Sequence, residues 1–181
     1  PLRDCWGRLG GAIRSAHWRP ESIFASAASD PDRINGIQRM LAAYAQHDYH
    51  GIARLLPFQG ARTIVDIAGG TGVLATMIAK QFPTADVLVL ERPEVCKLAA
   101  ECKTHPRVRY VNGDILDRWP MRTDGCVMSR VLHDWNDDDA LRILKQTRAA
   151  MSPTGTGVIL DIVLDDTTPF GRLCDLHLMV V

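Results

Sequence analysis

An α/β fold built on a parallel sheet of five strands in the order 3-2-1-4-5 is predicted by three observations. From residue 61 onward, short apolar runs alternate with helix-length segments. The first run, Thr63 to Ala68, passes straight into a glycine turn, Gly69-Gly70-Thr71-Gly72, and each later run delivers a polar residue at its carboxyl end. Right-handed crossovers between such strands leave few other orders, and ligands then sit beyond the strand ends, beside strand one where the order reverses.

Residues 1–60 carry a different pattern and are expected to form a helical segment ahead of an α/β domain over 61–181. Ile37, Met40, Leu41 and Tyr44 recur at helix spacing, Ile52, Leu55 and Leu56 follow Gly51, and Ser29-Asp30-Pro31 reads as a helix start. Beyond the glycine turn a helix over residues 72–82 places Leu74, Met77, Ile78 and Phe82 toward the sheet and stops at Pro83. Val87 to Leu90 is a continuous apolar run of the kind buried on both faces, ending at Glu91. A helix over 93–102 follows, then strands over 108–111, leading to Asn112-Gly113-Asp114, and over 125–129, leading to Arg130. Asn136 caps a helix with Asp137, Asp138 and Asp139 at its positive end and Leu141, Leu144 and Met151 together on one, apolar face. Ser152-Pro153-Thr154-Gly155 is expected to close it before a fifth strand over 157–164 and an apolar helix over 170–181, which the chain end is expected to cut short.

With 181 residues and 46% hydrophobic content, the chain supports one sizeable core. Lys plus Arg equals Asp plus Glu, and no basic run interleaves with aromatics, which argues against a nucleic-acid partner. No apolar run approaches the ~20 residues that span a bilayer, and the amino end lacks a signal-peptide pattern, so a cytoplasmic protein without a membrane partner is expected. Cys5, Cys96, Cys102, Cys126 and Cys174 are odd in number and scattered, as in a reducing compartment. Cys96, Cys102 and His105 match no common zinc spacing, so no metal is expected.

The turn after the first strand marks an adenosine-type site. Gly70-x-Gly72-x-x-Ala75 allows a tight bend and close backbone approach, and Glu91, about twenty residues on, can take ribose hydroxyls. A dinucleotide brings a pyrophosphate to such a turn, which Asp66 would repel; the methionine half of S-adenosylmethionine (SAM) carries an ammonium, which Asp66 would attract. Asp66 also reads simply as a turn cap. After the fourth strand, Leu132-His133-Asp134-Trp135 sets an imidazole at the rim of the same pocket, where its ordinary pKa suits general-base work.

These segments together resemble a known family. The turn Asp66 to Gly72, Glu91-Arg92-Pro93-Glu94-Val95, Gly113-Asp114-Ile115, Leu132-His133-Asp134-Trp135 and Asp161-Ile162-Val163-Leu164 look like the SAM-dependent O-methyltransferases of the plant caffeate and hydroxyindole type, with their bacterial secondary-metabolite branch. The resemblance implies a Rossmann-like class I methyltransferase fold whose last strands are missing here, and SAM as cofactor. It implies that Asp66, Ala68, Gly69, Gly70 and Gly72 hold the methionine portion, Glu91 the ribose, and Asp114 with Ile115 the adenine. Ser129, where plant members have Lys, keeps a cofactor contact without the charge, and Ala68 replaces the first glycine of the plant turn. The resemblance implies SAM-dependent methyl transfer to a hydroxyl of a small aromatic molecule with His133 as the general base, and the helical segment contributing to the substrate pocket.

The supporting acid of the family is a Glu on the fifth strand, and Asp161 stands there; one methylene shorter, it is expected to hold His133 loosely or not at all. Met40, Asp134 and Trp135 are placed near the acceptor, although Met40 and Trp135 read equally well as core. A homodimer formed through a region preceding this chain is also implied. Two alternatives stay open: a SAM-binding protein without methyl transfer, and an NAD-dependent oxidoreductase, the latter disfavoured by Asp66 and by the lack of a Tyr-x-x-x-Lys pair.

Overall fold

The computed structural model describes residues 6–15, 30–102, 104–164 and 169–178. Cys5, Ser29 and the end of the expected last helix at 179–181 lie outside the described residues. The chain divides into two units, residues 32–161 and a second made of 1–31 with 162–181. In the second unit lie helix α1 (Leu9–Arg14) and, near the carboxyl end, a helix over Pro169–Leu178; Trp6 stacks on His177 with ring centroids 5.8 Å apart. Among the described residues no helix is long and apolar enough to cross a membrane.

The larger unit holds the sheet, in the expected order 3-2-1-4-5 and parallel throughout. Its elements are α2 (Pro31–Asp48), a 3-10 turn over Ile52–Leu55, β1 (Thr63–Ile67), α3 (Val73–Gln81), β2 (Asp86–Glu91), α4 (Pro93–Ala99), β3 (Val108–Asn112), β4 (Thr123–Ser129), α5 (Asp137–Ala150) and β5 (Met151–Leu160). Alternation along β1 sends Ile64 to one apolar layer and Val65 and Ile67 to the other. The first layer packs under α3 through Leu74, Ala75 and Ile78; the second takes Ile143 of α5 together with Ile115 and Trp119. Strands buried on both faces explain why the β2 run is apolar without a break.

Two helix faces differ from the sequence reading for one reason. Leu141 and Leu144 are 50% and 36% exposed, while Ile143, Thr147 and Ala150 form the buried stripe of α5, and Met151 already belongs to β5. Thr147 tolerates burial because its hydroxyl donates to the Ile143 carbonyl at 2.8 Å. On α2 the buried residues are Ile34 and Gln38, and Tyr44 is exposed. In each helix a polar residue occupies the inner stripe, and counting apolar residues alone rotates the face. The segment Ser152 to Gly155, expected to end the helix, lies inside β5, so Asp161 falls just past the strand end.

The corrected face of α5 sets an expected outcome. Ile143→Ala, emptying a fully buried site, lowers unfolding free energy by about 2–5 kcal/mol, whereas Leu141→Ala stays within about 1 kcal/mol. Urea denaturation of the two variants checks it.

Candidate active site

The chain leaves β1 through a run of left-handed residues. Ala68, Gly70 and Gly72 have φ of 52°, 57° and 76°, and the Ala68 N–H donates to the Leu90 carbonyl at 2.9 Å. For Ala68 this conformation costs about 1–2 kcal/mol, which a glycine would avoid. Two of the glycines are required by space as well. A Cβ on Gly70 would lie 2.8 Å from Gln38 Oε1, and one on Gly72 would strike the Tyr110 hydroxyl. Side chains from α2 and β3 therefore lean directly onto bare backbone.

Around this turn the structure gathers acids and unpaired polar atoms. Asp66 is 1% exposed and its Oδ2 has no hydrogen-bond partner among the described residues. Burial pushes its pKa up to about 7; an Ala75 backbone N–H works against that shift, and the Glu91 charge adds to it. Glu91 is buried too, with Oε2 accepting from the Gly70 N–H at 3.0 Å and Oε1 from the Arg92 N–H at 2.9 Å. Burial raises its pKa, and the two N–H donors restrain the rise. Each oxygen keeps a lone pair for a further donor. Gln38 Oε1 and the Tyr110 hydroxyl are likewise buried without hydrogen-bond partners among the described residues. Leaving one such group unpaired costs about 1–3 kcal/mol, so this cluster is built for something that supplies donors.

The remaining positions expected around a nucleoside are divided in character. Asp114 is exposed at the end of β3, its Oδ1 accepting from the Leu116 N–H at 2.8 Å. Ile115 is buried with Trp119 in the apolar layer, so it contributes wall and not polar contact. Ser129, at the end of β4, donates to the Tyr49 hydroxyl. Burial raises the Tyr49 pKa, opposed by the Ser129 hydrogen bond.

The imidazole is placed by strand register. β4 and β5 pair Ser129 with Leu160, and the Arg130 N–H donates to the Leu160 carbonyl at 2.9 Å. The chain then turns at Arg130, whose φ of 56° is left-handed, into a 3-10 turn over Leu132–Asp134. Asp48 holds Arg130 at 3.2 Å, and the Tyr44 ring lies 5.7 Å from its guanidinium carbon. This tie brings Asp161 beside His133, with Nδ1 to Oδ1 at 2.6 Å. The expectation of a loose or absent bond is corrected: register brings the two backbones close enough that the shorter acid reaches.

On the other side of the ring, Nε2 lies 3.6 Å from Asp134 Oδ1. Desolvation raises the Asp134 pKa to about 6, with the His133 charge lowering it and Asp161 raising it. Trp135 packs against the apolar layer, and Met40 is half-buried on α2. Gln38, Tyr49 and Tyr110 went unnoticed in the sequence. Gln38 had one signal, a polar residue in step with Ile34 on a helix whose neighbouring positions are apolar.

Comparison with known proteins agrees with this geometry. A model of the O-methyltransferase domain family matches residues 11–180. The chain is 32% identical over 165 residues to a mitomycin biosynthesis 6-O-methyltransferase of Streptomyces lavendulae, covering 88% of this chain and 47% of that protein. It is 30% identical over 166 residues to a phenazine O-methyltransferase of Lysobacter antibioticus, covering 88% and 49%. The chain thus spans about half the length of the curated relatives it matches. Its fold is similar to that of human N-acetylserotonin methyltransferase, solved in complex with SAM, with a TM-score of 0.87 at 21% identity, covering 97% of this chain and 55% of that one.

The burial of Asp66 has a consequence for stability. Its pKa rises from 3.8 when exposed to about 7 in the fold, so the folded state holds the extra proton between those values. The contribution is present below about pH 4 and lost as pH rises through 7. Asp66→Asn removes this loss, so its stability advantage over the unchanged chain is smallest at pH 4 and greatest above pH 7. Thermal denaturation of both proteins from pH 4 to 8.5 reads the difference.

Proposed function

The chain belongs to the O-methyltransferase domain family, and from that premise we propose that it takes part in SAM-dependent methyl transfer to a hydroxyl of an aromatic small molecule. The observation that carries this is the pairing of two features at one end of the sheet: the acid-lined glycine turn and the His133–Asp161 hydrogen bond of 2.6 Å. The names of the relatives, mitomycin and phenazine O-methyltransferases, support an aromatic secondary metabolite as acceptor.

The site fits SAM on its own chemistry. The unpartnered Asp66 Oδ2 suits an ammonium, and the open lone pairs of Glu91 suit ribose hydroxyls. Asp66 with Ala68, Gly69, Gly70 and Gly72 would hold the amino-acid portion, Glu91 the ribose, Asp114 and Ile115 the base, and Ser129 the edge near β4. When bound, SAM supplies an electrophilic methyl group on a sulfonium.

The protein's own work is to position and to move one proton. Nδ1–H of His133 donates to Asp161, which fixes the tautomer and leaves Nε2 to accept the acceptor's hydroxyl proton. Asp161 then stabilises the imidazolium, and Asp134, 3.6 Å from Nε2, adds a second negative neighbour when ionised. Alignment of nucleophile and methyl group contributes up to roughly 7–11 kcal/mol. A base assisting a phenol contributes about 10²–10⁴ in rate, the smaller share.

Residues 1–60 are proposed as a wall of the acceptor pocket, with Met40, Asp134 and Trp135 around it. Support comes from α2 and the residue after it, which reach Gly70 through Gln38 and Ser129 through Tyr49. The family resemblance further supports a homodimer for the full-length protein, and the free thiols of Cys96, Cys102 and Cys126 suit a reducing cytoplasm. Hydride transfer through NAD is set aside, since Asp66 would oppose a pyrophosphate.

Two outcomes are expected. His133→Ala lowers turnover of a phenolic acceptor by ~10² to 10⁴ near pH 7, and the deficit narrows as pH approaches the pKa of the phenol; equal turnover from pH 6 to 9 would remove the base assignment. Because a cation favours the ionised form of Asp66, SAM affinity rises from pH 6 to 8, and binding below pH 7 releases a proton. Calorimetry in buffers of different ionisation enthalpy measures that proton.

A further inference from the structure

Two acceptor oxygens near the glycine turn have no hydrogen-bond donor among the described residues. One is Asp66 Oδ2; the other is Gln38 Oε1, on a side chain only 5% exposed. They bear on consecutive residues of the turn, since a Cβ on Gly69 would lie 2.5 Å from Asp66 Oδ2 and one on Gly70 would lie 2.8 Å from Gln38 Oε1. Those two Cα atoms are about 3.8 Å apart. The Gly70 N–H, the nearest backbone donor to expect for Gln38, is already given to Glu91 at 3.0 Å.

Two buried acceptors that bear on consecutive residues of one turn, one of them an acid, call for a ligand group that carries several N–H donors and a positive charge. A primary ammonium has three donors and one charge. A phosphate, a carboxylate or a sugar edge meets neither condition as well. We propose that Gln38 is a cofactor-positioning residue, its Oε1 accepting from the α-ammonium of the methionine half of SAM while Asp66 Oδ2 accepts from the same nitrogen.

This assignment rests on the reading of the turn as a SAM site and adds a residue from outside the α/β pattern. It gives a reason for a glutamine on the inner stripe of α2, where an apolar residue in step with Ile34 would otherwise pack. It also makes α2 a sensor of the amino-acid end of the ligand, since the contact is made by a helix and not by the sheet.

The test is calorimetry of the chain with three ligands: S-adenosylhomocysteine, its analogue lacking only the α-amino group, and 5′-methylthioadenosine. Gln38→Leu is expected to weaken S-adenosylhomocysteine by about ten- to a hundredfold and to leave the other two ligands unchanged. Gln38→Glu keeps an oxygen at the same reach and retains binding of S-adenosylhomocysteine. Circular dichroism confirms that both variants are folded. No loss for Gln38→Leu, or an equal loss on all three ligands, would overturn the assignment and leave Gln38 a packing residue. Failure of the unchanged chain to bind any of the three would instead overturn the reading of the turn as a SAM site.

Discussion

The carboxylate of Asp66 is buried at the end of the central strand with one oxygen unpartnered, and much else in the larger unit is arranged around that fact. A buried acid without a counter-ion keeps its proton unless something positive arrives. The strand that carries it cannot move, because β2 and β4 hold β1 on both sides. The backbone beyond it must therefore bend away at once, through left-handed Ala68, Gly70 and Gly72. Strain at Ala68, crowding by Gln38 and Tyr110, and the second buried acid Glu91 all gather at this bend. Each is a cost to the fold, and each is of a kind that positive charge and hydrogen-bond donors offset. Sites of this kind commonly trade stability for binding.

The His133–Asp161 hydrogen bond depends on a different constraint, the parallel register of β4 and β5. Ser129 opposite Leu160 makes Arg130 and Asp161 the first residues beyond each strand, and a backbone hydrogen bond from Arg130 to Leu160 locks that relation. His133 then needs only one 3-10 turn to reach Asp161. Side-chain length matters less than it does across a flexible loop, because the separation of the two backbones is set by the sheet. The left-handed backbone at Arg130 is held from outside by Asp48 and Tyr44, so the geometry of the dyad draws on α2 as well as on the strands.

Much of this was legible in the sequence, and the parts that were not share a cause. Strand order followed from apolar runs such as Val87 to Leu90 and from crossover handedness, both of which are properties of the backbone. The glycine turn, Glu91, His133 and the Asn136 cap, whose side chain accepts from the Asp139 N–H at 2.9 Å, lie where local pattern placed them. Helix faces were misjudged on α2 and α5 because Gln38 and Thr147 are polar residues in buried stripes. Thr147 is satisfied within its own helix, which no spacing rule reveals. The reach of Asp161 was misjudged because side-chain length was weighed without the register that brings the two chains together. Tyr49 and Tyr110 meet their neighbours only through tertiary packing.

Helix α2 links the two constraints. Gln38 lies against the glycine turn, and ten residues later Asp48 pairs with Arg130, followed at once by Tyr49 on Ser129. At 1.5 Å per residue, ten residues span about 15 Å. A helix of that length reaches both the glycine turn and the turn that carries His133. Rigid elements of this kind transmit position better than loops, because a shift at one end moves the other. With α2 in place, Asp48 and Tyr44 hold Arg130 in its left-handed turn, and that turn presents His133 to Asp161. The glycine turn and the turn carrying His133 lie at separate strand ends, and the α2 segment touches both, through Gln38 at the first and through Asp48 and Tyr49 at the second.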